Sequence, residues 1–313
     1  MVEQTAEVKC PTLALASGQK IPVVGLGTFL HDECKQNVKD AILKYGYRHI
    51  DTAMCYKNEE KVGEAIQECL AAGIKREELF ITTKLWHTDK NDVEGAIKTS
   101  LAKLKLDYVD LYLIHWMRPE IDWDNGAEIK SPPHHVVWSN MEKLVEKGLA
   151  KNIGVSNCTI PMLYDLLAGC KIRPAVNQIE VHPYLSQKRV IEFHHKYGVK
   201  IEAYAAIGSN HAVAKRAEGI QSLNLLEDPV IKEIATAKGK SPAQVCIAWH
   251  VTRGTIPLAK TTKEERLLEN IAASYDLTLT PEEMEKIDGL DKGIRFFNPS
   301  HFGGDWHGMP YWE

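Results

Sequence analysis

Three things are scarce in this chain, and each scarcity removes a class of function. The first is excess charge of one sign: 38 Lys and Arg stand against 42 Asp and Glu, a formal net charge of −4. Neither nucleic acid nor an anionic membrane finds a strongly basic partner here. The second is the long apolar run. No stretch approaches the ~18 apolar residues of a membrane span. The segment from Met1 to Cys10 has acids where a secretory signal would have a basic stretch and an apolar core. A cytoplasmic location is expected. The third is paired cysteine. The seven cysteines are odd in number, scattered and without a Cys-x-x-Cys pair, which points to buried reduced thiols rather than disulfides or zinc. Cys55 stands out because it adjoins Tyr56. His134-His135 and His194-His195 are adjacent pairs, which on a helix point apart, so no metal site is expected.

What is present suits one large core. The chain has 313 residues, 44% hydrophobic and 26% charged, and an α/β barrel takes about 250 residues plus insertions. A single domain, 1–313, is therefore expected. After a hairpin (Thr12 to Leu15, a Ser17-Gly18 turn, Lys20 to Val23), β-rich runs recur at 24–28, 47–51, 79–84, 109–115, 152–156, 175–180, 200–204 and 255–258. Helical segments lie between them. Asn58 is placed to cap a helix with Glu59 and Glu60 in its first turn and Val62, Ala65, Ile66 and Cys69 on one face. Val93, Ile97, Leu101 and Leu104 form a second stripe, and 137–147, 161–167, 188–197, 229–237 and 264–272 also read as helical. Eight strands alternating with helices predict an α/β (β/α)8 TIM barrel with an N-terminal β-hairpin. The alternative, an open doubly wound sheet, needs Gly-x-Gly-x-x-Gly opening a helix. Gly25-Leu26-Gly27 begins that way but has neither the third glycine nor the helix. Long excursions at 118–133 and 208–226 and an extended C-terminal tail at 295–313 are expected at the catalytic face, where such barrels keep lids and specificity walls.

Three consecutive strands end in polar residues: Asp51, Lys84 and His115. They should converge at that face, with Tyr56 folded back over it from a short loop. An ammonium beside a phenol favours the phenolate, so Lys84 is expected to make Tyr56 a better proton donor. Asp51 would keep Lys84 charged and aimed, and His115 would polarise a carbonyl oxygen. No serine–histidine elbow or metal-ligand pair offers a competing scheme. The missing electron source is suggested near the C-terminus. Thr262 and Glu265 form an apparent capping box before Leu267, Leu268 and Ile271, with Lys260, Lys263 and Arg266 clustered around the helix start. That is an anion site suited to the 2′-phosphate of NADPH.

At this point the sequence resembles the aldo-keto reductase family, from about Leu13 to Pro299. The resemblance rests on Gly46-Tyr47-Arg48-His49-Ile50-Asp51-Thr52-Ala53 with Tyr56, Asn58-Glu59 and Val62-Gly63-Glu64-Ala65. It rests also on Asp110-Leu111-Tyr112-Leu113-Ile114-His115-Trp116 and Gly148-Leu149-Ala150-Lys151-Asn152-Ile153-Gly154-Val155-Ser156-Asn157. It implies a catalytic tetrad of Asp51, Tyr56, Lys84 and His115 and hydride delivery from NADPH, with NADH as a secondary source. It also implies that Thr28 belongs to the cofactor site, that Ser156, Asn157 and Gln178 bond the carboxamide, and that Tyr204 stacks on the nicotinamide. Ser209 would lie in the loop over the pyrophosphate, Lys260, Thr261, Thr262 and Arg266 in the 2′-phosphate pocket, and Glu269 and Asn270 on the adenine.

The stretch from Asp165 to Leu185 and the ending Gly293-Ile294-Arg295-Phe296 are similar to the xylose and aldose reductase branch. By that likeness Phe29, Trp86, Trp116 and Phe297 line the pocket for an aldehyde or aldose. Departures concern the periphery. Arg295-Phe296-Phe297 places Asn298 one residue late for contact with a sugar, Met117 replaces a proline, and Leu258-Ala259-Lys260 replaces apolar-Pro-Lys. Ala205-Ala206-Ile207-Gly208 lacks the common Ser-Pro, and His211 replaces the acid that latches the cofactor loop. The expected partner is a small carbonyl compound, with the chain a monomer or homodimer. The alternative is a non-enzymatic NADP(H)-binding barrel serving as a channel or regulatory subunit.

Overall fold

The computed structural model describes residues 7, 9–122, 128–209, 220, 222–301, 306, 311 and 312. The hairpin strands β1 (Thr12–Ala14) and β2 (Lys20–Pro22) pair antiparallel. Eight parallel strands then close into a barrel: β3 (Gly25–Gly27), β4 (His49–Asp51), β5 (Phe80–Leu85), β6 (Val109–Ile114), β9 (Ala150–Ser156), β10 (Val176–Glu180), β11 (Lys200–Tyr204) and β12 (Ile256–Ala259). Between β6 and β9 lies a small antiparallel ribbon of β7 (Ile121–Asp122) and β8 (Glu128–Ile129). Every residue of β5, β6 and β10 is buried, as strands covered on both faces must be. Each of the eight runs expected from the sequence overlaps one of these strands, with ends that differ by at most two residues.

Among the described residues ten α-helices wrap the barrel: α1 (Lys35–Leu43), α2 (Glu59–Ala71), α3 (Val93–Leu104), α4 (His134–Glu146), α5 (Ile160–Gly169), α6 (Lys188–Lys196), α7 (Pro229–Lys238), α8 (Pro242–Thr252), α9 (Glu264–Ala272) and α10 (Pro281–Asp288). The sequence reading missed α1, α8 and α10, each for a physical reason. α1 has Cys34 at its N-cap, which makes no side-chain cap. α8 is buried continuously from Gln244 to His250, so it has no polar face to set a periodicity. α10 is short, although Thr280 and Glu283 form a capping box before it. Asn58 departs from expectation too. It stands at the N-cap of α2 without capping it: its amide donates to Thr28 O at 2.8 Å and its oxygen accepts from Thr52 Oγ1 at 3.1 Å.

The hairpin decides which end of the barrel is open. Leu15 and Ile21 pack against Phe80, Leu111, Leu113, Val176 and Ile256. Gln19 Nε2 donates to Asp110 Oδ1 at 2.8 Å, and Ser17 Oγ to Asn152 Oδ1 at 2.6 Å. These contacts floor the N-terminal ends of the strands and leave the C-terminal ends as the mouth. Among the described residues no helix is long and apolar enough to cross a membrane.

Helix α2 carries Gly63 where it presses on α3. A Cβ there would stand 2.5 Å from Lys103 O and 2.7 Å from Leu104 O, backbone atoms that cannot turn aside. Replacing a mid-helix glycine by alanine gains about 1 kcal/mol in propensity, whereas overpacking costs about 1–3 kcal/mol. Gly63→Ala should therefore lower stability in urea denaturation, and a variant more stable than the parent would contradict this packing.

Candidate active site

The ends of β4, β5 and β6 bring three polar side chains together. Lys84 is fully buried, and its Nζ donates to both Asp51 carboxylate oxygens at 2.8 Å, to Thr52 O at 2.8 Å and to Tyr56 OH at 3.3 Å. Tyr56 lies on a single helical turn, Met54–Tyr56, and its ring meets that of His115 at 5.8 Å. All four groups expected at the mouth are thus within one cluster. Asp51, Tyr56 and His115 line a cavity of about 520 Å³, with Lys84 enclosed behind them.

The electrostatics correct one expectation. Burial first, and the Asp51 carboxylate next, push the Tyr56 phenol well above its ordinary value. Lys84 does not yield a readily ionised phenol, and Tyr56 stays protonated at neutral pH. That is the form a proton donor needs. Burial and the Lys84 charge hold His115 well below its usual range, so its ring is neutral. Cys55 Sγ lies 3.5 Å from His115 Nδ1. Burial pushes that thiol up to about 12, so it remains protonated.

The opposite half of the barrel supplies amides and hydroxyls. Ser156 Oγ donates to Gln178 O at 2.8 Å, and Asn157 Nδ2 donates to His115 O at 3.0 Å. Tyr204 OH donates to Asn157 Oδ1 at 2.7 Å. Asn157 takes a left-handed backbone with φ of 54°, a conformation asparagine tolerates better than most residues, and it lines the cavity. Gln178 Nε2 donates to Asp51 Oδ2 at 2.8 Å and to Glu202 Oε2 at 2.7 Å. Both its hydrogens are therefore used, and the carbonyl oxygen is the atom left to receive a ligand. Thr28 bonds Asp51 O through Oγ1 at 3.1 Å.

The anion site forms differently from its expectation. Lys263, not Thr262, is the N-cap of α9, and it makes no side-chain cap. Thr261 Oγ1 accepts from Lys263 N at 3.0 Å, a local turn that competes with the capping box. Lys260, Arg266 and Ser209 line the cavity. Thr261, Thr262, Glu269 and Asn270 belong to the same turn and helix without forming its wall. His211 lies outside the described residues.

Aromatic side chains close the other side. Phe29 meets Tyr56 at 5.0 Å and Phe297 at 6.4 Å, and Trp86 meets His115 at 5.1 Å. Trp116 is buried edge-on to Trp306 at 4.7 Å. Asn298 does not reach the cavity wall; its oxygen accepts from Ser300 N at 3.1 Å. Glu180, Glu202 and Trp306 escaped the sequence reading. Glu180 is fully buried and accepts from the backbone N–H of Phe296 and Phe297 at 2.6 and 3.0 Å, which fixes the tail over the mouth. An acid within a β-rich run was the available signal. No cluster of three or more His, Cys, Asp or Glu side chains suited to a metal occurs among the described residues.

The chain is similar to known proteins over most of its length. The model of the Aldo/keto reductase family matches residues 23–292. The chain is 42% identical over 305 residues to "Aldo-keto reductase family 1 member A1" of Gallus gallus, covering 93% of this chain and 91% of the relative. It is 39% identical over 299 residues to the Homo sapiens protein of the same name, covering 91% and 90%. It is 38% identical over 313 residues to "NADP-dependent D-sorbitol-6-phosphate dehydrogenase" of Malus domestica, covering 94% and 98%.

The Asp51–Lys84 contact has a measurable consequence for stability. Removing one partner of a buried pair costs about 3–5 kcal/mol, because the other charge is left uncompensated. Asp51→Asn keeps one acceptor oxygen, so a loss near about 3 kcal/mol in urea unfolding at neutral pH is expected. A loss no greater than the ~1 kcal/mol typical of an exposed pair would show that Lys84 is not held as described.

Proposed function

The chain belongs to the aldo/keto reductase family, and from that premise we propose that it reduces the carbonyl group of aldehydes and aldoses with NADPH, Tyr56 donating the proton. The observation that carries this reading is the buried Lys84 ammonium, which reaches the Asp51 carboxylate and the Tyr56 hydroxyl together beside a cavity shared with His115.

The chain's own residues fit a dinucleotide bearing an extra phosphate. Around the barrel the strands run β9, β10, β11, β12, β3, β4, β5, β6. Ser156, Asn157, Gln178 and Tyr204 therefore occupy one arc and the tetrad the facing arc. Lys260 and Arg266, following β12, would hold the 2′-phosphate with the first-turn N–H groups of α9. Gln178 and Asn157 would orient the carboxamide and Tyr204 would support the ring. Bound there, the nicotinamide supplies hydride. Tyr56 gives its proton to the carbonyl oxygen, Lys84 stabilises the phenolate, Asp51 fixes Lys84, and neutral His115 donates a hydrogen bond to the same oxygen. The rings of Phe29, Trp86 and Phe297 exclude water, which strengthens each of these interactions.

The pocket also bears on the substrate. Lys260 and Arg266 are the cations among the described residues that line the cavity, and they lie across the barrel from Trp86 and Trp116. Among the described residues the substrate end is aromatic and without a lining cation, which favours uncharged aldehydes and aldoses over sugar phosphates.

NADPH oxidation with glyceraldehyde, xylose and aromatic aldehydes tests the reading. Tyr56→Phe should lower kcat by roughly 10²–10⁴-fold, the usual worth of a general acid. A variant retaining most turnover removes Tyr56 as the donor. Lys260→Met should raise KM for NADPH by roughly tenfold or more, the worth of a hydrogen bond to a charged group, and leave NADH unaffected. Equal loss with both cofactors would remove Lys260 as the phosphate contact.

A further inference from the structure

Glu202 sits in β11 with no exposed surface and does not line the cavity, so the mechanism above leaves it unused. Its place is nonetheless specific. Glu202 Oε2 accepts from Gln178 Nε2 at 2.7 Å, and the other Gln178 hydrogen goes to Asp51 Oδ2 at 2.8 Å. One amide clamps two carboxyl groups, one of them already paired with Lys84.

Counting charges decides the state of the second. The titratable groups facing Glu202 are Asp51 and His49 from β4, Tyr56 from the turn after β4, and Lys84 from β5. β10 presents the neutral Gln178, and Ile256 of β12, apolar, is its register partner. Lys84 is engaged with Asp51, Thr52 O and Tyr56 OH. Burial holds His49 down to about 3, so its ring is neutral. An ionised Glu202 would be a second buried negative charge with no cation left to balance it, a state that a buried acid avoids by keeping its proton. The atom to carry that proton is identifiable: Glu202 Oε1 is buried without a hydrogen-bond partner, 3.5 Å from His49 Nε2, and as O–H it could donate to that nitrogen.

We propose that Glu202 is a positioning residue that works in its protonated form: its neutral carboxyl fixes Gln178 against Asp51, and loss of its proton shuts the site down at alkaline pH. The inference rests on the reductase reading of the same site. Burial first, and the Asp51 charge next, raise Glu202 to about 8. Its negative charge also opposes formation of the Tyr56 phenolate. Proton donation to substrate therefore becomes harder as Glu202 ionises.

Glu202→Gln removes the titration while preserving shape and hydrogen bonding. Wild-type kcat should fall as pH passes about 8, and the glutamine variant should keep its neutral-pH kcat through that interval. Glu202→Leu, which offers Gln178 no acceptor, should lower kcat at every pH and raise the cofactor KM. Stability gives a second readout. An acid with a raised folded-state value contributes fully below its unfolded value and loses that contribution as pH rises through the folded one. The Tm of wild type relative to Glu202→Gln should accordingly decline between about 4.5 and about 8.

A third readout needs no turnover: difference infrared spectra at neutral pH should show a protonated-carboxyl band in wild type that Glu202→Gln lacks. Superimposable pH profiles for wild type and the glutamine variant, or the absence of that band, overturn the proposal. Absence of NADPH-dependent carbonyl turnover by wild type at every pH overturns the reductase reading instead, and with it the kinetic role of Glu202. The infrared band then still decides whether Glu202 holds a proton.

Discussion

A buried ammonium is the constraint around which the mouth of this barrel is arranged. Lys84 has no exposed surface, so each of its hydrogens requires an acceptor from the protein. Those acceptors come from the end of β4 and from the loop that follows it: Asp51, Thr52 O and Tyr56 OH. That loop has little freedom left. Asn58 locks it from the other side by accepting from Thr52 Oγ1 and donating to Thr28 O and His31 O. The position of the Tyr56 phenol is thus set by strand register and by a side chain spent on stitching loops. It is not left to a flexible loop, and groups held on rigid elements are the ones that keep reactive geometry.

The same cluster joins the two halves of the barrel. Asp51 and Lys84 belong to the arc proposed to handle the proton, whereas Gln178 and Glu202 belong to the arc proposed to hold the cofactor. The Gln178 amide bridges them across the interior. Fixing Gln178 by both hydrogens presents its carbonyl oxygen, and fixing Asp51 by a third donor keeps its charge directed at Lys84. A carboxylate shared between an ammonium and an amide is well satisfied. A second one nearby is not, and this is why Glu202 differs in character from Asp51 although the two share a partner.

Much of this was legible in the chain itself. The eight β-rich runs located the barrel strands because short stretches holding β-branched and aromatic residues recur between helical segments, and polar residues ending three of them marked the mouth. Other features depend on three-dimensional context. α8 has no amphipathic stripe because it is buried on most sides. Thr262 looks like a helix cap, yet Thr261 satisfies the nearby backbone first. The acidity of Tyr56 was read from its neighbour Lys84, but burial, which a sequence does not display, outweighs that neighbour. Glu202 is visible only as one acid within a strand until the closed barrel sets it against Gln178 and His49.

The tail shows why chemistry was easier to read than substrate. The groups proposed to move the proton are built into strands and a short loop, with local motifs that constrain them. Phe297, by contrast, reaches the cavity from a segment beyond the last helix, and its place depends on Glu180. That buried carboxylate accepts from two successive backbone amides of the tail and from His182. Charge-assisted bonds of this kind are roughly twice as strong as neutral ones, enough to hold Phe297 against Phe29 and Tyr204. Such an anchor grips main chain, so it leaves the neighbouring side chains unrestricted. A shift of one residue, as at Phe297 and Asn298, exchanges an amide for a ring at the pocket while the anchor and the proton machinery stay as they are. The substrate preference proposed above therefore rests on a part that can change without disturbing the constraint imposed by Lys84.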